Sequence, residues 1–270
     1  MSTTTRTITI DGIGPVPVTY GDQGTGHVYV LLHGGAGPQS VTGFASQLAG
    51  GGAAGETGPA RVITPVHPGF AGTPRPAGLN SIAGLARLYV SLLGELGVTG
   101  ATVVGNSIGG WIAAEMALTG SPQITSAVLV DAVGIEVPGH PVADFFSLTL
   151  DQVAELSYHD PGPFRIDPAA MSAEQRAVMA GNREALAVYS GTTMNDPGLG
   201  ARLGQISVPT LVVWGDSDRI ADPGYGRAYA AAIPGARFHL LPATGHVPQI
   251  ESPALLLGAI RDFASAHAGS

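Results

Sequence analysis

The chain has 270 residues, no cysteine and a net charge of −8, and all 12 of its basic side chains are arginine. Without Lys there is no Schiff-base enzyme, pyridoxal-phosphate attachment or Walker-type phosphate lysine; without Cys there is no thiolate nucleophile, disulfide, iron–sulfur cluster or zinc finger. Covalent catalysis is left to Ser, Thr, Asp, Glu, His or Tyr, and the absence of any basic patch argues against nucleic-acid binding.

The N-terminus, Met1–Ile10, is Thr-rich and lacks the apolar stretch of a signal peptide, and no window holds 18 uninterrupted apolar residues. A soluble cytoplasmic protein is therefore expected. Thr7–Ile10 and Val16–Tyr20 are short β-branched runs, close together and partly polar, which predicts an antiparallel hairpin at a sheet edge. Val28–Leu32, Arg61–Val66, Ala101–Val104, Ala127–Asp131, Thr210–Trp214 and Arg237–Leu241 are mostly near-continuous apolar runs, the pattern of strands buried on both faces. Helices are expected between the later strands. Leu79–Leu96 carries Leu and Ile at helical spacing, and Ile108–Leu118 follows a strand directly. Pro223–Ala232 has Asp222 as N-cap with Pro at the first helical position, and Pro253–Ser265 begins the same way after Ser252. Strand–helix alternation implies βαβ units and a mostly parallel sheet.

The alternation breaks once, between Asp131 and Val208. A structureless loop of that length is improbable, so a helical insertion is expected, with Asp151–Leu156 and Ser172–Tyr189 as its clearest helices. The expected organisation is a core of residues 1–133 and 207–270 with a helical cap at 134–206.

The chemistry centres on Gly105-Asn106-Ser107-Ile108-Gly109. A G-x-S-x-G match alone is weak in a Gly-rich chain, but here a strand run ends at it and a helix starts from it. That strand–turn–helix setting lifts a Ser hydroxyl above the sheet and leaves the next N–H at a helix N-terminus, where it can stabilise an oxyanion. His33-Gly34-Gly35-Ala36-Gly37 follows another strand, and its turn can aim a second amide, Gly35, with Ala36 next, at the same oxyanion. Trp214-Gly215-Asp216-Ser217-Asp218 and Gly245-His246 follow two further strands. A Ser nucleophile needs a base, and the base needs an anion to fix its tautomer. Ser107, an acid near 218 and His246 each sit past the C-terminal end of a different strand, on the edge where sites form in parallel sheets.

The motifs HGGAG at 33–37, HPGFAGTPRP at 67–76, GNSIGG at 105–110, WGDSD at 214–218 and GHVPQIESP at 245–253 together resemble the α/β-hydrolase fold family, in the branch carrying a helical cap. The resemblance covers essentially the whole chain. It implies an eight-stranded, mostly parallel sheet flanked by helices, with Ser107 as nucleophile, Asp218 as acid, His246 as base, and the Ile108 and Gly35 amides as oxyanion hole. Asp216 and Asp131 compete for the acid role; Asp216 is expected to structure its turn, and Asp131 stands where some relatives place the acid. His67 departs from the family, which usually has Asp there, and with His33 is expected to brace a loop. The remaining histidines are scattered without metal-ligand spacing, so neither a metal nor a cofactor is expected. Phe70, Trp111, Phe145, Phe146 and Val247 are the candidates for contact with substrate.

A Ser elbow disfavours the dehalogenase and epoxide-hydrolase chemistries that use Asp there. The leading expectation is hydrolysis of a small apolar ester, thioester or lactone through an acyl-enzyme. The GNSxGG elbow also resembles C–C hydrolases of ring-cleavage diketones, although those commonly carry Trp after the catalytic His where this chain has Val247. Arg165, Arg176 and Arg183 are the cap cations able to meet a substrate carboxylate. A small-ligand receptor with little turnover is the alternative outside the enzymes. The expected partner is a small molecule, with no nucleic acid and no membrane, and the chain is expected to be a monomer or homodimer.

Overall fold

The computed structural model describes residues 3–50 and 60–267; residues 1–2, 51–59 and 268–270, which the expected core boundaries include, lie outside the described residues, as do the side chains of Ser265 and His267. The described residues form an eight-stranded sheet: β1 (Thr3–Ile10), β2 (Gly14–Gly24), β3 (His27–Leu32), β4 (Ala60–Pro65), β5 (Ala101–Asn106), β6 (Ile124–Val130), β7 (Thr210–Gly215) and β8 (Arg237–Leu241). Their spatial order is β1-β2-β4-β3-β5-β6-β7-β8. β1 and β2 are antiparallel, as the two polar runs predict, and β2 also meets β4 antiparallel. The remaining neighbours are parallel.

The central strands are buried on both faces because helices cover each side. Successive residues alternate between two cores: Val103 packs with α2 (Ile82–Glu95) and α3 (Ile108–Leu118), whereas Val104 packs with α1 (Gln39–Ala49) and α9 (Pro253–His267). β8 departs from the expected buried run. As the edge strand it buries Leu241 and leaves Arg237 exposed. α2 starts three residues later than the Leu spacing predicts, because Ser81 accepts the Gly84 N–H as N-cap. α7 (Pro223–Ala231) starts as expected, with Asp222 accepting the Gly224 and Tyr225 N–H groups.

α1 was not expected, although Val41, Phe44, Ala45 and Leu48 lie at i, i+3, i+4 and i+7 and are all buried. Its stripe is masked by a Gly- and Pro-rich approach and by the lack of any side-chain N-cap. Between β6 and β7 run α4 (Leu150–Ser157), α5 (Ala173–Ser190), α6 (Leu199–Arg202) and three short 3-10 turns. α4 and α5 lie within a residue of the predicted spans, and each opens on a capping box, Thr149 with Gln152 and Ser172 with Gln175. Among the described residues no helix is long and apolar enough to cross a membrane.

Candidate active site

Ser107 joins β5 to α3 with φ +58° and ψ −119°, a conformation L residues rarely adopt. Backbone pins it there: its N–H donates to Val130 O at 3.0 Å, and its carbonyl accepts the Gly110 and Trp111 N–H groups. The turn is tight enough to demand glycine on both sides. A Cβ on Gly105 would stand 2.0 Å from Gly109 O, and one on Gly109 would stand 2.4 Å from Leu32 O. The 33–37 loop lies against this elbow, since a Cβ on Gly34 would meet the Ser107 Cβ at 3.0 Å. Gly35 is covered from above by α5, with Leu186 Cδ2 at 3.0 Å from a Cβ built on it. Ile108 is the first residue of α3, so its N–H is free of helix bonding and opens from the elbow.

His246 and Asp218 are both buried, and His246 Nδ1 lies 2.8 Å from Asp218 Oδ2. Asp218 accepts two further hydrogen bonds at Oδ1, from the Ile220 and Ala221 N–H groups at 2.8 and 3.1 Å. A carboxylate so placed accepts a hydrogen bond from Nδ1–H and fixes that tautomer, which leaves Nε2 as the proton acceptor. Among the described residues Ser107 Oγ makes no hydrogen bond to this ring; such bonds often form only with substrate in place.

The link between the His246 loop and the elbow runs through residues that sequence reasoning missed. Asn106 Nδ2 donates to His246 O at 2.8 Å, and Gln249 Nε2 donates to Asn106 Oδ1 at 3.0 Å. Glu251 Oε2 accepts the Gly245 N–H at 2.6 Å, while its Oε1 accepts the His159 and Asp160 N–H groups. His246 N–H donates to Ser157 O at 2.7 Å. Asn106, Gln249 and Glu251 all lie inside the motifs already singled out. That location was the available signal, but the partners sit up to 143 residues apart.

The two competing acids separate clearly. Asp216 is largely a turn residue: its Oδ1 accepts from the Ser217 hydroxyl at 2.7 Å and the Thr244 N–H at 3.4 Å. Asp131 is fully buried, and its Oδ1 accepts the Gly215 N–H at 2.8 Å. One atom each of Asp131, Asp218 and His246 lie within 4.8 Å of one another. This is the group among the described residues compact enough for a metal, but its Asp218 and His246 atoms already satisfy each other.

The five candidate substrate contacts differ in their surroundings. Phe70 is fully buried, its ring centroid 5.0 Å from His33 and 5.6 Å from His67. Trp111 is buried in the core cluster against Gly134, and its Nε1–H has no partner. Phe145 and Phe146 pack edge to face, with the Arg183 guanidinium 5.4 and 5.5 Å from their ring centroids. Val247 is buried at the start of α8 (Pro248–Glu251). Phe146 lines a cleft of about 780 Å³, together with Ile135, Val142, Thr193 and Tyr225.

His33 and His67 brace the loop as a neutral pair. His33 Nδ1–H donates to Gly34 O at 2.8 Å, and Nε2 accepts the His67 N–H at 3.2 Å. His67 Nε2–H donates to His33 O at 2.8 Å, which leaves Nδ1 to accept the Tyr89 hydroxyl at 2.6 Å. Their rings lie 3.7 Å apart. Burial pulls His33 down to about 4, and burial followed by the neighbouring His33 pulls His67 well below the ordinary imidazole value. Both groups bind protons more readily when unfolded, so the stability they allow is present above about pH 6.5 and is lost as pH falls from there toward about 4. The urea midpoint should therefore drop between about pH 7 and pH 5, and drop less in His33→Asn. A wild-type midpoint flat across that interval would contradict the neutral-pair assignment.

A profile of the alpha/beta hydrolase family matches residues 29–259. The 2-hydroxy-6-oxo-6-phenylhexa-2,4-dienoate hydrolase of Burkholderia cepacia is 28% identical over 269 residues, covering 93% of this chain and 92% of the relative. A 2-hydroxy-6-oxononadienedioate/2-hydroxy-6-oxononatrienedioate hydrolase of Burkholderia vietnamiensis is 30% identical, covering 87% of this chain and 86% of the relative. Among solved structures, a meta-cleavage product hydrolase from Pseudomonas fluorescens IP01 superposes with a TM-score of 0.75 at 20% identity, over 97% of this chain and 98% of the other. A thermophilic esterase from Thermogutta terrifontis superposes equally well, with a TM-score of 0.75 at 23% identity over the same shares. At those identities the two structures speak to the fold alone.

Proposed function

The chain belongs to the alpha/beta hydrolase family, and on that premise we propose that it is a serine hydrolase in which Ser107 is the nucleophile, His246 the base and Asp218 the acid. The observation that carries this reading is the buried His246 Nδ1–Asp218 Oδ2 hydrogen bond beside a Ser held at φ +58°. Ser107 Oγ attacks a carbonyl carbon as Nε2 of His246 takes its proton. The amides of Ile108 and Gly35 receive the oxyanion. The bond to the leaving group breaks, the departing fragment takes the proton from His246, and water activated by the same Nε2 releases the acyl group from Ser107. The 134–206 segment acts as a cap, with Leu186 of α5 closing over the oxyanion loop.

For the bond cleaved, the curated relatives favour C–C hydrolysis of a 2-hydroxy-6-oxo-dienoate over the ester hydrolysis expected from sequence, since several of them carry that activity in their names along nearly the whole chain. Ester or lactone hydrolysis stays as a second reading on one specific observation. The arginines expected to meet a substrate carboxylate are already engaged: Arg165 with Asp151 and Glu155, Arg176 with Pro168 O and Met171 O, Arg183 with Phe145 O and Phe146 O. Each of these guanidinium groups therefore already spends hydrogen bonds inside the protein rather than standing wholly free for a substrate carboxylate. Incubating the protein with a ring-cleavage dienoate and, in parallel, p-nitrophenyl esters of graded chain length separates the two. Bleaching of the dienoate chromophore at a kcat/KM above that of every ester supports the first reading, and esters alone turning over supports the second. If nothing is hydrolysed but a ligand raises the melting temperature, the chain is a receptor.

A further inference from the structure

The reaction scheme leaves one buried acid at the site without a part. Asp131 caps the C-terminal end of β6 with φ +46°, its own N–H donating to Val213 O at 2.9 Å and its Oδ1 accepting the Gly215 N–H at 2.8 Å. Its second oxygen, Oδ2, is buried and among the described residues receives no hydrogen from an N–H or O–H donor. The side chain lies beside Asp218 and His246, within the 4.8 Å cluster. The groups facing it are Asp218 from the loop after β7, His246 from the loop after β8 and Glu251 from α8, and no arginine is among the charges that act on Asp131.

Two ionised carboxylates buried side by side with no cation against them repel each other and are poorly solvated, so the pair holds a proton. Its location follows from the hydrogen bonds. Asp218 accepts two backbone N–H groups at Oδ1 and the His246 Nδ1–H at Oδ2, all of which favour its anion. Among the described residues Asp131 accepts one N–H, and its idle oxygen is buried in the cluster that also holds the Asp218 carboxylate.

We infer that Asp131 is a positioning residue: it stays protonated at neutral pH and donates its carboxyl hydrogen to Asp218. Burial first, and then the Asp218 charge, push the Asp131 carboxyl well above the usual carboxylate range. The hydrogen bond ties the ends of β6 and β7 to the carboxylate, fixes the plane in which Asp218 meets the imidazole, and leaves one negative charge beside His246 rather than two. The positioning role rests on the proposed Ser107–His246–Asp218 reading, whereas the proton on Asp131 does not.

The proton is read directly by infrared difference spectroscopy of wild type against Asp131→Asn. The carbonyl stretch of a buried, protonated carboxylic acid is expected in wild type at neutral pH and is expected to vanish in the variant; its absence from wild type overturns the inference whether or not any substrate is turned over. The positioning role is read from kinetics. Asp131→Leu is expected to lower kcat about tenfold with KM unchanged, and Asp131→Asn, whose amide can donate to Asp218, to recover most of that loss. The acid limb of the kcat/KM profile should stay in place in Asp131→Asn. A fall of about one pH unit or more in that limb would mean that a full negative charge had been removed, and wild-type kcat in Asp131→Leu would mean that Asp131 positions nothing. If no substrate is found, the rate at which a fluorophosphonate labels Ser107 replaces kcat. If Asp131→Leu fails to fold, the infrared band and the Asp131→Asn profile still decide.

Discussion

Replacing Ser107 by Ala is expected to lower kcat by about 10⁴- to 10⁶-fold while leaving the fold and the affinity for substrate in place, because nucleophile, base and acid act as one unit and loss of the nucleophile removes the covalent route. The geometry makes this a clean experiment. The Ser107 carbonyl accepts the Gly110 and Trp111 N–H groups and its N–H reaches Val130 O, so the bonds by which Ser107 holds the elbow are made by its backbone and survive the change. Ser107→Gly adds a second readout. It deletes the same hydroxyl but relieves a φ of +58°, so it should match Ser107→Ala in lost turnover yet be about 1 kcal/mol more stable. If Ser107→Ala kept wild-type turnover of the preferred substrate, the assignment of nucleophile would be wrong. If the two variants were equally stable, the elbow would hold no strain worth the name.

The parts of this molecule that were legible in the sequence are those set by short-range patterns. Apolar runs such as Ala101–Val104 and Thr210–Trp214 become central strands because both sheet faces are covered. Asp222–Pro223 starts a helix because an Asx cap and a proline suit its first turn. The elbow could be read because strand, turn and helix are contiguous. Pairings across the chain could not. Asn106 reaches His246 across 140 residues, and Glu251 gathers N–H groups from 91 and 92 residues away. Nothing local marks such an Asn or Glu as a clasp. Asp131 was weighed only as a rival to Asp218; its place beside that acid comes from β6 and β7 lying side by side, which periodicity alone does not reveal. The internal partners of Arg165, Arg176 and Arg183, including the Phe145 and Phe146 carbonyls, are likewise hidden in the sequence, because they are set by how the β6–β7 segment folds back on itself.

The same elbow should make Gly105→Ala among the most damaging small substitutions in the chain. A methyl group there would lie 2.0 Å from Gly109 O, 2.3 Å from its carbonyl carbon and 2.7 Å from Gly110 N, all of them backbone of the first turn of α3. Backbone cannot swing aside as a side chain can, so α3 must move away from β5. That movement carries Ser107 and the Ile108 amide with it and loosens contacts of Ile112 and Met116 in the core. The cost should reach or exceed the upper end of the overpacking range, about 3 kcal/mol, and turnover should fall in the molecules that remain folded. Gly43→Ala is the matching control. Gly43 is exposed in α1, and a Cβ there meets nothing within 4 Å. Alanine at that position should raise stability by about 0.5–1 kcal/mol through helix propensity and leave turnover alone. Urea unfolding of both variants tests the contrast. Equal stabilities would show that the elbow tolerates displacement, and would remove the steric requirement for glycine at 105.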